Sequence, residues 1–281
     1  MNEVPSLRRT IGSIFLHGLV VALALVFLTP LGFALITSFN RYLPSAPDFS
    51  WLPWPPHWRN YVDAWTARPF PLYLLNTIVI TELAVVGTVL SSSLVAYGFA
   101  RFRFPGRNIL FGLLVATMLL PGQVTMIPLF MIWRQLGAVN TIFPLIVPAF
   151  LGASAFNIFL MRQFYMSLPR SLDEAAMLDG CSPFGIWARI LLPLSKPSLI
   201  TVGLFAFTAA WEDFMGPLIY LQDPNNYTVS VGLQLFNDEY GNSNLNLLLA
   251  ASLLHILPVV VLFFFAQRYF VQGIATSGLK D

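Results

Sequence analysis

The chain has 281 residues, of which 57% are hydrophobic and only 10% charged, with a mean hydropathy of +0.71. That is more apolar surface than one water-soluble core can bury, so lipid is the expected solvent. The formal net charge of +2, carried by scattered basic residues, implies neither a nucleic-acid nor an acidic partner, and the single cysteine, Cys181, excludes an intrachain disulfide and a CxxC metal site.

Apolar runs predict helices over residues 11–36, 72–99, 108–131, 142–161, 197–221 and 246–267. A bilayer core about 30 Å thick takes roughly 20 residues per helix, so these spans and short connections fill residues 1–281 as a single all-α, polytopic membrane domain of six transmembrane helices. Arg8 and Arg9 before the first run resemble the start of a signal peptide, but the run is too long for a signal core and reads as a retained helix. The connection after it holds Pro44, Pro47, Pro53, Pro55, Pro56, Pro69 and Pro71 among Trp51, Trp54, Trp58 and Trp65, the composition of a bent loop resting at the lipid interface.

Orientation follows from the basic residues. With the N-terminus cytoplasmic, that side holds Arg8, Arg9, Arg101, Arg103, Arg107, Arg162, Arg170, Arg189, Lys196, Arg268 and Lys280, against Arg41, Arg59, Arg68 and Arg134 outside. Eleven against four, with both termini inside, satisfies the positive-inside rule. Pro121–Gly122, Pro128, Pro144 and Pro148 interrupt the third and fourth runs at membrane depth. Irregular backbone there needs protein or a water-filled cavity to satisfy it, although simple proline kinks give the same pattern. No internal repeat is visible, which disfavours a secondary carrier built from inverted halves.

Between the fourth and fifth runs, Ser171–Gly180 predicts a short helix. Ser171 and Glu174 match a capping box, Asp173 and Glu174 suit the positive end of the helix dipole, and Gly180 suits a left-handed C-cap. Ser182–Pro183 predicts the start of a second helix, with Pro193 near its end. Small side chains at Ala175 and Ala176 beside acids have no packing role in a helix outside the membrane, so a partner with basic groups is expected to approach them. A solvated amphipathic turn is the plainer alternative.

Glu174-Ala175-Ala176, Gly180, Ile190 and Leu192-Pro193, at their spacing, resemble the complete EAA loop of ABC importer permeases. The resemblance extends over nearly the whole chain to the carbohydrate-uptake subfamily of the six-helix maltose type. It is carried by Arg101-Phe102-Arg103-Phe104-Pro105-Gly106-Arg107, Phe159-Leu160-Met161-Arg162-Gln163-Phe164 and Gln267-Arg268-Tyr269-Phe270. It implies that residues 171–193 form a coupling loop docking into an ATPase subunit through Glu174, Ala175, Ala176, Asp179 and Gly180. The implied partners are a second permease subunit, two ATP-binding subunits and an extracytoplasmic solute-binding protein. Trp211-Glu212-Asp213-Phe214 departs from the family pattern, in which asparagine often stands between tryptophan and aspartate, so sugar specificity does not transfer.

The only lysines, Lys196 and Lys280, lie in no P-loop, so this chain is expected to bind no cofactor, with ATP and Mg on the partner ATPase. Ionisable residues inside a span are functional candidates, here Glu82, Glu212, Asp213 and His255. On a continuous fifth helix, Thr201, Thr208, Glu212 and Met215 share a face that borders a cavity in one reading and a partner helix in the other. Glu82 reads as a packing residue beside the small pair Gly87 and Ser91. His17, His57 and His255 have no metal-ligand spacing, and no catalytic constellation accompanies the acids. The expected function is a permease subunit importing a carbohydrate or, alternatively, a glycerol phosphate or similar small polar solute. An ion-coupled carrier and a membrane enzyme are disfavoured.

Overall fold

The computed structural model of the chain describes residues 7–236 and 244–278. Of the basic residues used above, Lys280 lies outside that set, as do the side chains of Arg8, Arg9 and Arg268; those of Tyr269 and Phe270 in the last resemblance stretch do too. Among the described residues four helices are long and apolar enough to cross a membrane, and two sharply bent helix pairs raise the total to six. The chain is an all-α polytopic membrane protein. Its contacts divide it into two units, Met1–Arg68 with Leu235–Ile256, and Pro69–Gln234 with Leu257–Asp281.

In the first unit, α1 (Leu7–Ser38) leads into the proline-rich loop and α2 (Arg59–Thr66). The loop has little regular structure, so side-chain amides satisfy its backbone. Asn60 Nδ2 donates to Ser38 O and Asn40 O at 2.8 and 2.7 Å, and Asn246 Nδ2 donates to Asn40 O at 2.8 Å. Phe39 meets Trp58 edge-on at 4.6 Å, while Trp51 and Trp54 stand exposed, the arrangement of amphipathic rings at a lipid interface.

The second unit is built on α3 (Phe70–Arg101), which packs against α6 (Phe143–Phe150), α7 (Ala155–Ser167) and α11 (Lys196–Trp211). Small residues make the contact close. A Cβ on Gly87 would lie 2.6 Å from the Phe150 ring, and Ser91 Oγ donates to Ala149 O at 2.6 Å.

Three of the expected spans are broken. Over 108–131 the chain forms α4 (Arg107–Ala116), a 3-10 turn at Thr117–Leu119 and α5 (Gly122–Gln135), with the two halves bent by 102°. Pro121 offers no amide to continue the helix, and Leu120 before it is extended. The 142–161 run divides into α6 and α7 around Gly152, whose φ is +75°. The 197–221 run ends as α11 at Trp211 and restarts as α12 (Met215–Tyr220), where Asp213 Oδ1 accepts the Gly216 amide at 3.0 Å.

Asn140 holds the 222–226 segment from a left-handed backbone, φ +62°. Its Oδ1 accepts the amides of Gln222 and Asp223 at 3.0 and 2.9 Å and the Asn226 side-chain amide at 3.1 Å. The short helix α13 (Val229–Gln234) and the long α14 (Leu245–Gly278) complete the chain.

Candidate coupling site

The segment after α7 folds as α8 (Ser171–Leu178), a glycine turn, α9 (Pro183–Ile186), a π-helical turn at Trp187–Leu191 and α10 (Leu192–Leu194). The start of α8 differs from expectation. Arg170, already helical and without a side-chain cap, is the N-cap, and its carbonyl accepts the amides of Asp173 and Glu174 at 3.0 and 3.1 Å. Ser171 therefore lies inside the first turn and forms no capping box.

Asp173 is drawn inward instead. Its Oδ2 lies 2.9 Å from Arg101 Nε, with both side chains at least nine-tenths buried, and Arg101 Nη1 donates to Leu168 O at 3.2 Å. Burial pushes the Asp173 carboxyl above its ordinary range, against the pull of Arg101 and Arg170. Ionising this carboxyl therefore costs more in the folded chain than in the unfolded one. Its contribution to stability is present below the ordinary carboxylate range and lost as pH rises through the raised value.

The two alanines have opposite surroundings. Ala176 is buried with Tyr165, Ile186, Trp187 and Leu191, whereas Ala175 is exposed. The expectation that neither alanine has an internal packing role is thus corrected for Ala176, whose small side chain fits α8 against this cluster.

The end of α8 is a Schellman motif. Cys181 N donates to Ala176 O at 2.9 Å and Gly180 N to Met177 O at 3.0 Å, with Gly180 at φ +80°. Ser182 caps α9 through its hydroxyl, which accepts the Gly185 amide at 3.1 Å. Glu174, Ala175, Asp179 and Gly180 all remain exposed, beside Leu178 at 89% and Phe184 at 64% exposure. Fixed helix ends, outward carboxylates and uncovered apolar side chains form a surface that a complementary protein can grip.

The other predicted residues are placed less simply. Thr201 and Thr208 are half-buried on one face of α11, but their hydroxyls donate to Pro197 O and Leu204 O, each at 3.0 Å. Glu212 is exposed just past the end of that helix, and Met215 belongs to α12, so the expected four-residue face does not continue on one helix. A cleft of about 370 Å³ is lined instead by Glu82, Gly203, Phe207, Leu262 and Phe265, among others. Glu82, read from the sequence as a packing residue, is exposed at its edge. Its position eleven residues before Ser93 on α3 gave no signal of the cleft, because α11 and α14 supply the other walls. Sequence reasoning also passed over Arg101 as the partner of Asp173, seventy-two residues away.

The family description "Binding-protein-dependent transport system inner membrane component" matches residues 87–276. The chain is 38% identical to the arabinooligosaccharides transport system permease protein AraQ of Halalkalibacterium halodurans over 205 residues, covering 73% of this chain and 72% of that one. It is 34% identical to the sn-glycerol-3-phosphate transport system permease protein UgpE of Pectobacterium atrosepticum over 273 residues, covering 94% and 96%. A chain in the crystal structure of a bacterial ABC transporter involved in importing the acidic polysaccharide alginate matches with a TM-score of 0.83 at 25% identity, covering 96% of this chain and all of that one.

The buried ion pair generates a prediction for the folded chain. Arg101→Met strands the Asp173 carboxylate and should cost about 3–5 kcal/mol at neutral pH, whereas Arg101→Met with Asp173→Leu should recover most of the loss. Unfolding midpoints of the purified protein in detergent measure both.

Proposed function

This chain belongs to the family of binding-protein-dependent transport system inner membrane components, and from that premise we propose that α8 and its glycine turn are where it receives the force of ATP hydrolysis. The chain is a multi-pass transport component and not an enzyme. In our reading a separate ATP-binding subunit, holding ATP and Mg, docks on Glu174, Ala175, Asp179 and Gly180, with Ala176 setting the helix in place from behind. Two such subunits, a second permease subunit and an extracytoplasmic solute-binding protein complete the importer. The observation that carries this reading is the exposed Schellman end of α8 on a helix anchored from below by Asp173 and Ala176.

A carbohydrate is the solute class we favour, supported by relatives whose names specify arabinooligosaccharides and alginate. UgpE, named for sn-glycerol 3-phosphate, supports the alternative of a glycerol phosphate. We read both termini as cytoplasmic, a reading that the eleven-to-four division of basic residues supports. Thr201, Thr208 and Glu212 remain our candidates for the translocation route. Exposed Glu212 offers an acceptor for sugar hydroxyls, and the two threonines require their hydroxyls to turn from the helix carbonyls toward a solute.

Gly180→Val tests the coupling surface. No atom stands within 4 Å of the added Cβ position, so the effect is backbone strain at φ +80°, about 1–2 kcal/mol for a left-handed residue and enough to distort the turn. Uptake of labelled arabinotriose by the reconstituted importer should fall while membrane insertion is retained. Unchanged uptake and unchanged ATP hydrolysis would sink the assignment. A wild type that takes up sn-glycerol 3-phosphate but not arabinotriose moves the solute to the alternative class.

For the route, Glu212→Gln removes a charge-assisted hydrogen bond of about 1.5–3 kcal/mol and should lower uptake by roughly tenfold or more, with assembly intact. Normal uptake, or loss of the complex, refutes the role. For the topology, a cysteine at Ser277 in a Cys181→Ser background should escape an impermeant thiol reagent in intact cells and react after the membrane is opened.

A further inference from the structure

The π-helical turn between α9 and α11 holds a polar node that neither the coupling surface nor the proposed route uses. Its cause is local. Pro193 and Pro197 lack amide hydrogens, so the regular ladder cannot run through them, and Leu192 N donates to Trp187 O in the wider π pattern. The helix axis bends by 83° between Pro183–Leu194 and Lys196–Trp211. A bend of that kind is compliant by itself, and a push on α8 would be absorbed there.

Three fully buried or nearly buried side chains oppose that compliance. Trp187 Nε1 donates to Ser93 Oγ at 2.9 Å, and Ser93 Oγ shares a hydrogen bond of 2.8 Å with the Tyr165 hydroxyl. Ser93 and Tyr165 have no exposed surface, and Trp187 has 7%. The indole is a donor only, so the Ser93 oxygen accepts from it and keeps its hydroxyl hydrogen and a second lone pair, either of which can serve the bond with Tyr165. The Ser195 hydroxyl donates to Leu191 O, at the far end of the π turn. The node therefore ties the start of the turn to α3 through Ser93 and to α7 through Tyr165, while Leu191 at its far end is buried in the same cluster. Nearby, Tyr97 Oη donates to Pro183 O at 3.0 Å and fixes the start of α9 to α3.

A hydrophobic cluster alone would bury the turn without setting its rotation. Hydrogen bonds have direction, and breaking one inside a dry core strands its partner, so the node selects one register.

We propose that Ser93, Tyr165 and Trp187 are positioning residues for transport: they lock the π turn to α3 and α7 so that displacement of α8 moves both spans as one body. The proposal rests on α8 being the coupling helix. Trp187→Phe, Tyr165→Phe and Ser93→Ala each delete one polar group and retain most of the packing.

The test uses the full chain assembled with its ATP-binding subunits, in a Cys181→Ser background. Spin labels are placed at two exposed sites, Arg189 on the π turn and Leu90 on α3, and Ser171 on α8 is labelled singly in a second sample. With the node intact, the distance between labels should stay single and unchanged between ADP and ATP–vanadate. In each variant it should broaden and shift with nucleotide, because the π turn moves without α3. A shifting distance in the intact protein, a single fixed distance in all three variants, or failure of all three to assemble overturns the proposal. Failure of the coupling reading appears separately, as a Ser171 label whose access to a soluble relaxation agent is the same with and without the ATP-binding subunits.

Discussion

A guanidinium and a carboxylate that are both removed from water, Arg101 and Asp173, join the end of α3 to the first turn of α8. Such a pair stabilises little by itself, because desolvating two charges offsets most of their attraction. Its consequence is geometric. With Asp173 held inward, the helical periodicity of α8 sends Ala176 into the cluster beneath it and leaves Glu174 and Ala175 facing out. The outer surface of the coupling site is thus specified by what its inner face must bind.

A second constraint comes from lipid, where every broken backbone ladder needs a replacement partner. The chain breaks its helices around Pro121, Gly152 and residues 212–214, and again at the bend before α11. Side chains supply partners at several of these places. Asp213 accepts the Gly216 amide, and Ser195 satisfies the Leu191 carbonyl a second time. Asn140 gathers the 222–226 segment in the same way. Several of the polar residues at membrane depth are therefore accounted for by backbone, and a polar residue there is not by itself a solute contact. Glu82 and Glu212 differ in being exposed, Glu82 at the edge of a cleft walled by α3, α11 and α14.

Local signals were legible wherever the physics is local. Gly180 at a left-handed C-cap, Ser182 as an N-cap and Pro121 as a helix stop each depend on a residue's own backbone preferences and on neighbours within one turn. The same reasoning failed at Ser171. A capping box and a first-turn serine have the same sequence; in the structure Arg170 is the cap and Asp173 pairs with Arg101, a contact that no local pattern includes. It failed again over 197–221, where an unbroken apolar run concealed the stop at Trp211.

The sequence by itself determined that the chain is helical and membrane-embedded, because apolar content and run length fix the solvent a segment prefers. It also determined where the coupling loop lies, because caps and turns are short-range. Only the tertiary structure decided which side chains of that loop face inward, how Ser93, Tyr165 and Trp187 meet, and which acid borders a cleft. Those outcomes are set by the packing of helices far apart in the chain, and spacing along one helix carries no information about what a neighbouring helix presents to it.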